Sequence, residues 1–507
     1  MSTTVETVTG EGRVAEQRPP FATAGVAAVV VVAAAGLLAS IGRYGFFGDE
    51  LYFVAAGRRL TVSYADQGPL LPTLARLMDL LAPNSLVAQR LPAVLVTLAA
   101  IALSAAIARE LGGSRTAQVL TAVGYAVSPF LLPQGTQLST NAIDTALWVL
   151  IGWLLVRWVR TRRDDLLLWA GVVTAVDMQV KWLVPFLWLA IALGVLLFGP
   201  RELLRRPALW WGAAIVAITM LPSLFWQARH GWPQLGMGAQ VAAEQEMIGG
   251  RLTFVPLALL VAGGLGLALV VCGFLGVFRL ESLRPYRFLA VVPVVLLVVF
   301  AATDARPYYL VGAYPMVMAA GAVWWTRRPA RWRTIVAGVV ALASAATVVV
   351  SLPLKPDSAI EPAADEEQAA LAMSVYAKFG WPELAAATAT AYRSLPEPER
   401  AHAVVIADSY WQASALDFYR TGNALPEVFS PNRGFGYFGT PPDSATTVVW
   451  VGGDGAEPRR QCAAVSPLGR ADARLGFPGI TRDVTIWRCA DPVQPWSRAW
   501  PNMLRLG

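Results

Sequence analysis

The sequence predicts an α-helical polytopic membrane protein that ends in a small exoplasmic α/β domain. Hydrophobic residues fill 56% of the 507 positions and charged residues only 15%, against roughly 25% charged in soluble domains. Apolar runs of bilayer-crossing length recur from Phe21 to Pro353, and the mean hydropathy is +0.50. After Pro353-Leu354-Lys355-Pro356 the composition turns abruptly to that of a soluble domain.

The elements follow in chain order. Residues 1–21 form a polar cytoplasmic tail carrying Glu6, Glu11, Arg13, Glu16 and Arg18. The run from Phe21 to Ile41 lacks an A-x-A cleavage pattern, so it reads as a retained first helix. Apolar periodicity then gives about eleven spanning helices. They lie near 22–41, 88–108, 116–134, 142–158, 166–180, 182–199, 208–227, 253–278, 288–303, 308–326 and 332–353, a transmembrane module over 22–353. The run 166–180 is short and interrupted by Asp177.

Arginines set the orientation. They crowd into five short loops: Arg109 and Arg115; Arg157, Arg160, Arg162 and Arg163; Arg201, Arg205 and Arg206; Arg279, Arg284 and Arg287; and Arg327, Arg328, Arg331 and Arg333. The opposite loops are longer and poorer in cations, with Arg43, Arg58, Arg59, Arg76, Lys181, Arg229, Arg251 and Arg306. The first set reads as cytoplasmic, which puts the N-terminus inside and residues 354–507 outside a cell membrane. The formal charge of +7 is thereby explained by topology and anionic lipid, and nucleic acid is not an expected partner.

Two outward segments exceed simple connectors. Residues 42–87 hold apolar-polar stretches at Leu51–Leu60 and Leu70–Leu81, which read as interfacial helices. Residues 228–252 form a second outward loop. In the C-terminal domain, Ala403–Asp408, Thr446–Val451 and Asp483–Arg488 read as strands, Tyr410–Tyr419 as a helix and 422–443 as an irregular loop. Of the three cysteines, Cys272 falls in an apolar helix, while Cys462 and Cys489 lie outside and predict a disulfide.

Candidate chemistry gathers in the outward loops. Gly48-Asp49-Glu50-Leu51-Tyr52 sets two carboxylates at the outer end of the first helix, where such groups are expensive near lipid. Either Asp49 caps the next helix and Glu50 complements its dipole, or one of them is a general base. Tyr64-Ala65-Asp66-Gln67-Gly68-Pro69 follows in the same loop, where a turn alone would account for Gly68-Pro69. Ser139-Thr140-Asn141-Ala142-Ile143-Asp144 places a third carboxylate at a helix start. Lys181, and Arg306 before Tyr308 and Tyr309, either snorkel to the interface or pair with a lipid phosphate. Asp177 and Lys181 are spaced to neutralise each other. His230, beside Arg229, is more readily structural than a ligand. No P-loop or Rossmann pattern appears, so an outward enzyme here needs a substrate activated elsewhere and delivered on lipid.

With these motifs in order, the sequence resembles the C-type polyprenyl-phosphate glycosyltransferases, in the group of protein O-mannosyltransferases and the lipid A aminoarabinose transferase. The likeness covers about residues 22–330 and rests on Asp49-Glu50, Asp66-x-x-Pro69-Leu70, Ser139-x-Asn141-x-x-Asp144, Trp226–Pro233 and Pro307–Leu310. Gln67 and Gly68 depart from it, standing where relatives carry histidine or lysine and proline. The resemblance implies inverting transfer of a sugar from a polyprenyl-phosphate donor to an acceptor hydroxyl, with the acceptor open among protein, lipid, glycan and secondary metabolite. It implies Asp49, with Glu50 and Asp144, in catalysis, and Lys181, Arg306, Tyr308 and Tyr309 at the donor phosphate. Tyr64, Asp66, Gln67, Asn141, Arg229 and His230 would line the loops. The resemblance fixes no cofactor; some relatives bind a divalent metal, for which Asp66 and His230 are the candidate ligands. The rival reading is a transporter or flippase for a lipid-linked substrate, which would carry its charges at the membrane midplane.

Overall fold

The computed structural model describes residues 19–246, 249–328 and 330–507, so all but the last three residues of the N-terminal tail lie outside it. Residues up to 351 are almost wholly helical: α1 Thr23–Ser40, α2 Gly48–Gly57, α3 Leu70–Leu81, α4 Leu86–Glu110, α5 Arg115–Ala126, α6 Thr140–Thr161, α7 Asp165–Met178 and α8 Val184–Phe198. There follow α9 Pro207–Arg229, α10 Pro233–Glu246, α11 Gly250–Leu260, α12 Gly263–Arg279, α13 Phe288–Ala302, α14 Tyr314–Thr326 and α15 Arg331–Ser351.

Among the described residues, α1, α4, α6, α9 and α15 are long and apolar enough to cross a membrane, and α11 with α12 makes a sixth if the pair is one span. Their outward faces are apolar: Trp210, Trp211, Ile218 and Leu221 on α9 and Ile335, Val339 and Leu342 on α15 are exposed. Such a surface is sustainable against lipid and not against water.

Several expected spans are shorter than the hydropathy pattern. Residues 116–134 give a helix only to Ala126, then turns and a 3-10 segment Pro133–Thr136. Pro129 and Pro133 remove backbone donors there. The run 253–278 breaks between Leu260 and Gly263 with a bend of 89°. Gly263 turns the corner at φ +71°, where an added Cβ would lie 2.7 Å from Pro129. The run 308–326 begins as a 3-10 segment, Pro307–Ala313, before α14 starts.

In the first loop, α3 keeps its expected bounds, and α2 starts three residues earlier than expected, at Gly48. Beyond α15 a five-stranded sheet runs in the order β2-β1-β3-β5-β4, with β1 Ala403–Ala407, β2 Val428–Phe429, β3 Thr447–Val451, β4 Cys462–Ala471 and β5 Val484–Pro492. β1 lies parallel to β2 and β3, and the other pairs are antiparallel. β1 and β3 are buried at every position, which is why they read as unbroken apolar runs. β4 leaves no strand signal in the sequence because its small residues, with Pro467 and Gly469 inside the run, carry no clean apolar-polar alternation. A disulfide joins Cys462 to Cys489, and Cys272 is free and buried.

Candidate active site

The site forms where α2 meets the helix Tyr410–Phe418, which follows β1. Gly48 allows the approach, since a Cβ there would fall 2.4 Å from the Trp411 ring. Gly48 N–H donates to Ala377 O (3.2 Å), and Trp381 Nε1 donates to Phe46 O (2.9 Å). Arg59 pairs with Asp417 through two hydrogen bonds of 3.0 and 2.9 Å.

At this junction Asp49 is half-buried and points one oxygen at the C-terminal region. Its Oδ1 accepts from Tyr410 Oη (2.7 Å) and from Trp411 Nε1 (2.7 Å). Among the described residues Oδ2 takes no hydrogen bond, so one oxygen is anchored and the other is free to accept a proton.

Glu50 is different. Its carboxylate is fully buried and pairs with the equally buried Arg90 (2.8 Å). It also accepts from Phe47 N–H (2.8 Å) and Leu138 N–H (2.9 Å). Arg90 spends its remaining donors on the carbonyls of Ile41, Arg43 and Gly45. A carboxylate so saturated holds α2 to α4 and has no oxygen left for a substrate. Tyr64 is likewise a strut: its buried hydroxyl donates to Ala56 O (3.0 Å) and accepts from Thr61 N–H (3.3 Å).

Asp66 accepts from Tyr52 Oη (2.8 Å). Burial pushes its carboxyl above the usual range, against the pull of Arg433. Gln67 is buried with both amide atoms unpartnered. Asp144, in α6, faces Asp177, Trp148 and Lys181, and its Oδ1 and both oxygens of Asp177 have no hydrogen-bond partner. The expected neutralisation of Asp177 by Lys181 is not formed; only the Lys181 amide meets the Asp177 carbonyl (3.0 Å). Lys181 instead lies over the Tyr309 ring at 3.8 Å, with Tyr308, Asp144, Arg306 and Asp49 as its ionisable neighbours. Burial draws its ammonium below the usual range. Asn141 stands beside Tyr308.

The second loop is less convergent. His230 is exposed, stacks on Trp226 at 3.9 Å and bonds Trp226 O at 2.7 Å, while Arg229 covers Phe225. No group of three or more His, Cys, Asp and Glu that would hold a metal occurs among the described residues. Tyr52 takes one oxygen of Asp66 and Trp226 O meets one ring nitrogen of His230, and no step below runs through a metal.

Residues from distant parts of the chain complete the site. Arg433, held at φ +48°, donates to Tyr410 Oη (3.1 Å) and forms an ion pair with Glu244 of α10, which also pairs with Arg306. Tyr410 has its hydroxyl held well above its usual range, chiefly by burial. Arg433 stays charged despite burial because Tyr410, Glu244, Asp66 and Asp49 surround it. Local sequence signals for them are slight. Tyr410-Trp411 follows a buried strand, where helix starts commonly carry function in α/β sheets, and Arg433 lies in the irregular 422–443 loop.

The fold and the acidic and basic cluster agree with the resemblance to the C-type polyprenyl-phosphate glycosyltransferases seen in the motifs. Residues 66–226 match the family model described as dolichyl-phosphate-mannose-protein mannosyltransferase, a match that begins after Asp49. In particular, the chain has the fold of ArnT from Cupriavidus metallidurans. The apo crystal structure superposes with a TM-score of 0.62 at 12% identity, covering 96% of this chain and all of that one (100%). The ArnT structure bound to undecaprenyl phosphate gives 0.57 at 14% identity, covering 92% of this chain and 97% of that one. No curated protein matches the chain.

Proposed function

We propose that the protein is an inverting glycosyltransferase that moves a hexosyl or pentosyl group from a polyprenyl-phosphate donor to an acceptor hydroxyl on the exoplasmic face. The observation that carries this reading is Asp49: one oxygen fixed by Tyr410 and Trp411, the other unbonded, with Lys181 and Arg306 close by. In the reaction the acceptor oxygen attacks the anomeric carbon from the face opposite the phosphate. The bond from that carbon to the phosphate oxygen breaks, and the lipid phosphate departs with the electron pair. Asp49 Oδ2 takes the acceptor's proton, which later passes to solvent. Lys181 and Arg306 stabilise the charge that grows on the leaving phosphate, the task electrostatic catalysis performs best. Asp144 and Asp177, with oxygens unpartnered inside the protein, offer acceptors for sugar hydroxyls.

The reading includes the N-in, C-out topology with about eleven crossings. Purified protein given a polyprenyl-phosphate sugar and candidate acceptors should yield a product of opposite anomeric configuration, read by NMR, together with free polyprenyl phosphate. Retention of configuration would refute direct displacement. Transfer of the intact lipid-linked sugar across a vesicle bilayer without cleavage would favour the transporter.

A further inference from the structure

Two arginines from separate parts of the chain grip one carboxylate at the site. Arg306 reaches Glu244 Oε2 from the loop before the 3-10 segment, and Arg433 reaches Glu244 Oε1 from the C-terminal region. Each side chain is only partly buried, with 17% of both arginines and 20% of Glu244 exposed, so the bridge can be approached from outside. Glu244 lies in the last turn of α10 (Pro233–Glu246), and Gln240 Nε2 donates to it (3.0 Å). A carboxylate there does not favour the helix, because the dipole leaves negative charge at its C-terminal end.

The bridge reaches the proposed base. Arg433 bonds Tyr410 Oη (3.1 Å), and Tyr410 bonds Asp49 Oδ1 (2.7 Å). Arg433 is positioned by more than its charge: its Nε donates to Leu506 O (3.1 Å) and its amide to Arg505 O (2.7 Å). This cation therefore stays in place whether or not Glu244 does. Two forked guanidinium groups converging on the oxygens of one anion make a geometry that suits a phosphate as well as a carboxylate.

We infer that Arg306 and Arg433 form an anion seat, occupied by Glu244 when no donor is bound, which a phosphate group claims by displacing that carboxylate. The C-terminal region thus supplies a positioning cation through Arg433, and Glu244 is an internal competitor. The exchange keeps both arginines paired in either state. It also ties donor arrival to the Tyr410–Asp49 contact, since Arg433 bonds both Glu244 and Tyr410. The inference rests on the lipid-phosphate reading for its natural ligand, and the shared chemistry, a phosphate oxyanion, is open to separate test.

Full-length protein in detergent would be titrated with undecaprenyl phosphate, inorganic phosphate and neutral undecaprenol. Glu244→Gln keeps the shape and removes the competing charge, so undecaprenyl phosphate should bind roughly tenfold tighter, with undecaprenol unchanged. Arg433→Gln should weaken phosphate binding by about the same factor, and Arg433→Lys should recover part of the loss. Weaker or unaltered phosphate binding by Glu244→Gln overturns the inference, as does an Arg433→Gln variant that binds like the parent. If only inorganic phosphate binds, and the variants keep this order, the seat stands while the lipid-donor reading falls. If neither phosphate binds any variant, the seat falls as well.

Discussion

Asp49 divides its work between its two oxygens. Oδ1 is spent on Tyr410 and Trp411, which fixes the carboxylate plane, and Oδ2 is left to accept a proton. Asp49→Asn can keep both of those hydrogen bonds through its carbonyl oxygen while replacing Oδ2 with an amide that has no basicity. Turnover should fall by about 10²- to 10⁴-fold, with donor affinity and thermal stability close to the parent. Asp49 lies inside α2 and Glu50 meets the N-cap amide of Phe47, so the structural alternative is that Asp49 only ties α2 to Tyr410 and Trp411; asparagine then serves as well and activity stays near normal. Steady-state kinetics on the purified variant separate the two, and near-normal turnover moves the base to another residue. Glu50 is a poor replacement, because its ion pair with Arg90 uses the charge in holding the fold.

At the scale of elements, the junction of α2 with the C-terminal region carries an unusual cation. Lys378 is buried (3% exposed) close to the Arg90–Glu50 pair. Burial, with Arg90 nearby, lowers its ammonium to about 7 despite Glu50. In the unfolded chain the same group titrates near 10.4. Between those values the unfolded chain holds more protons than the folded one, so stability rises with pH across about 7 to 10. Below about 7 the charge is buried in the folded state and the penalty is fully present. Lys378→Met removes it, so its melting temperature should exceed the parent's most at pH 7 and converge with it toward pH 10. A gain that is constant with pH would show that packing, and not charge, is responsible. The same junction marks the limit of what the sequence revealed. α3 was legible to its bounds because its amphipathic pattern is local. The partner of Glu50 lies 40 residues on, and that of Asp49 lies 361 residues on, so neither contact leaves a periodicity to read. The breaks after Ala126 and at Gly263 were hidden for the opposite reason: hydropathy continues through them while the backbone turns at proline and glycine.

For the whole molecule, the hydrogen bond between Asp49 and Tyr410 constrains topology apart from any count of spans. Residues that touch lie on the same face of the bilayer, so the first loop and the C-terminal region share a side. The chain between them must then cross the membrane an even number of times, however α5, α7, α8, α13 and α14 divide the crossings. α1 is long and apolar enough to cross, and in the proposed topology it does, with the N-terminus on the other side. The same proposal takes that other side as the cytoplasm on the strength of the arginine-rich short loops, and the Cys462–Cys489 disulfide suits an oxidising exterior. A reporter active only outside the cytoplasm should therefore work both when inserted at the exposed tip of the first loop near Asn84 and when fused after Gly507. A cytoplasmic reporter should be silent at both positions and active at the N-terminus. If all three signals invert together, the orientation is wrong and the shared face survives. If the Asn84 and Gly507 reporters disagree with each other, the Asp49–Tyr410 contact cannot exist in the membrane. The active site would then have to be built without the C-terminal region.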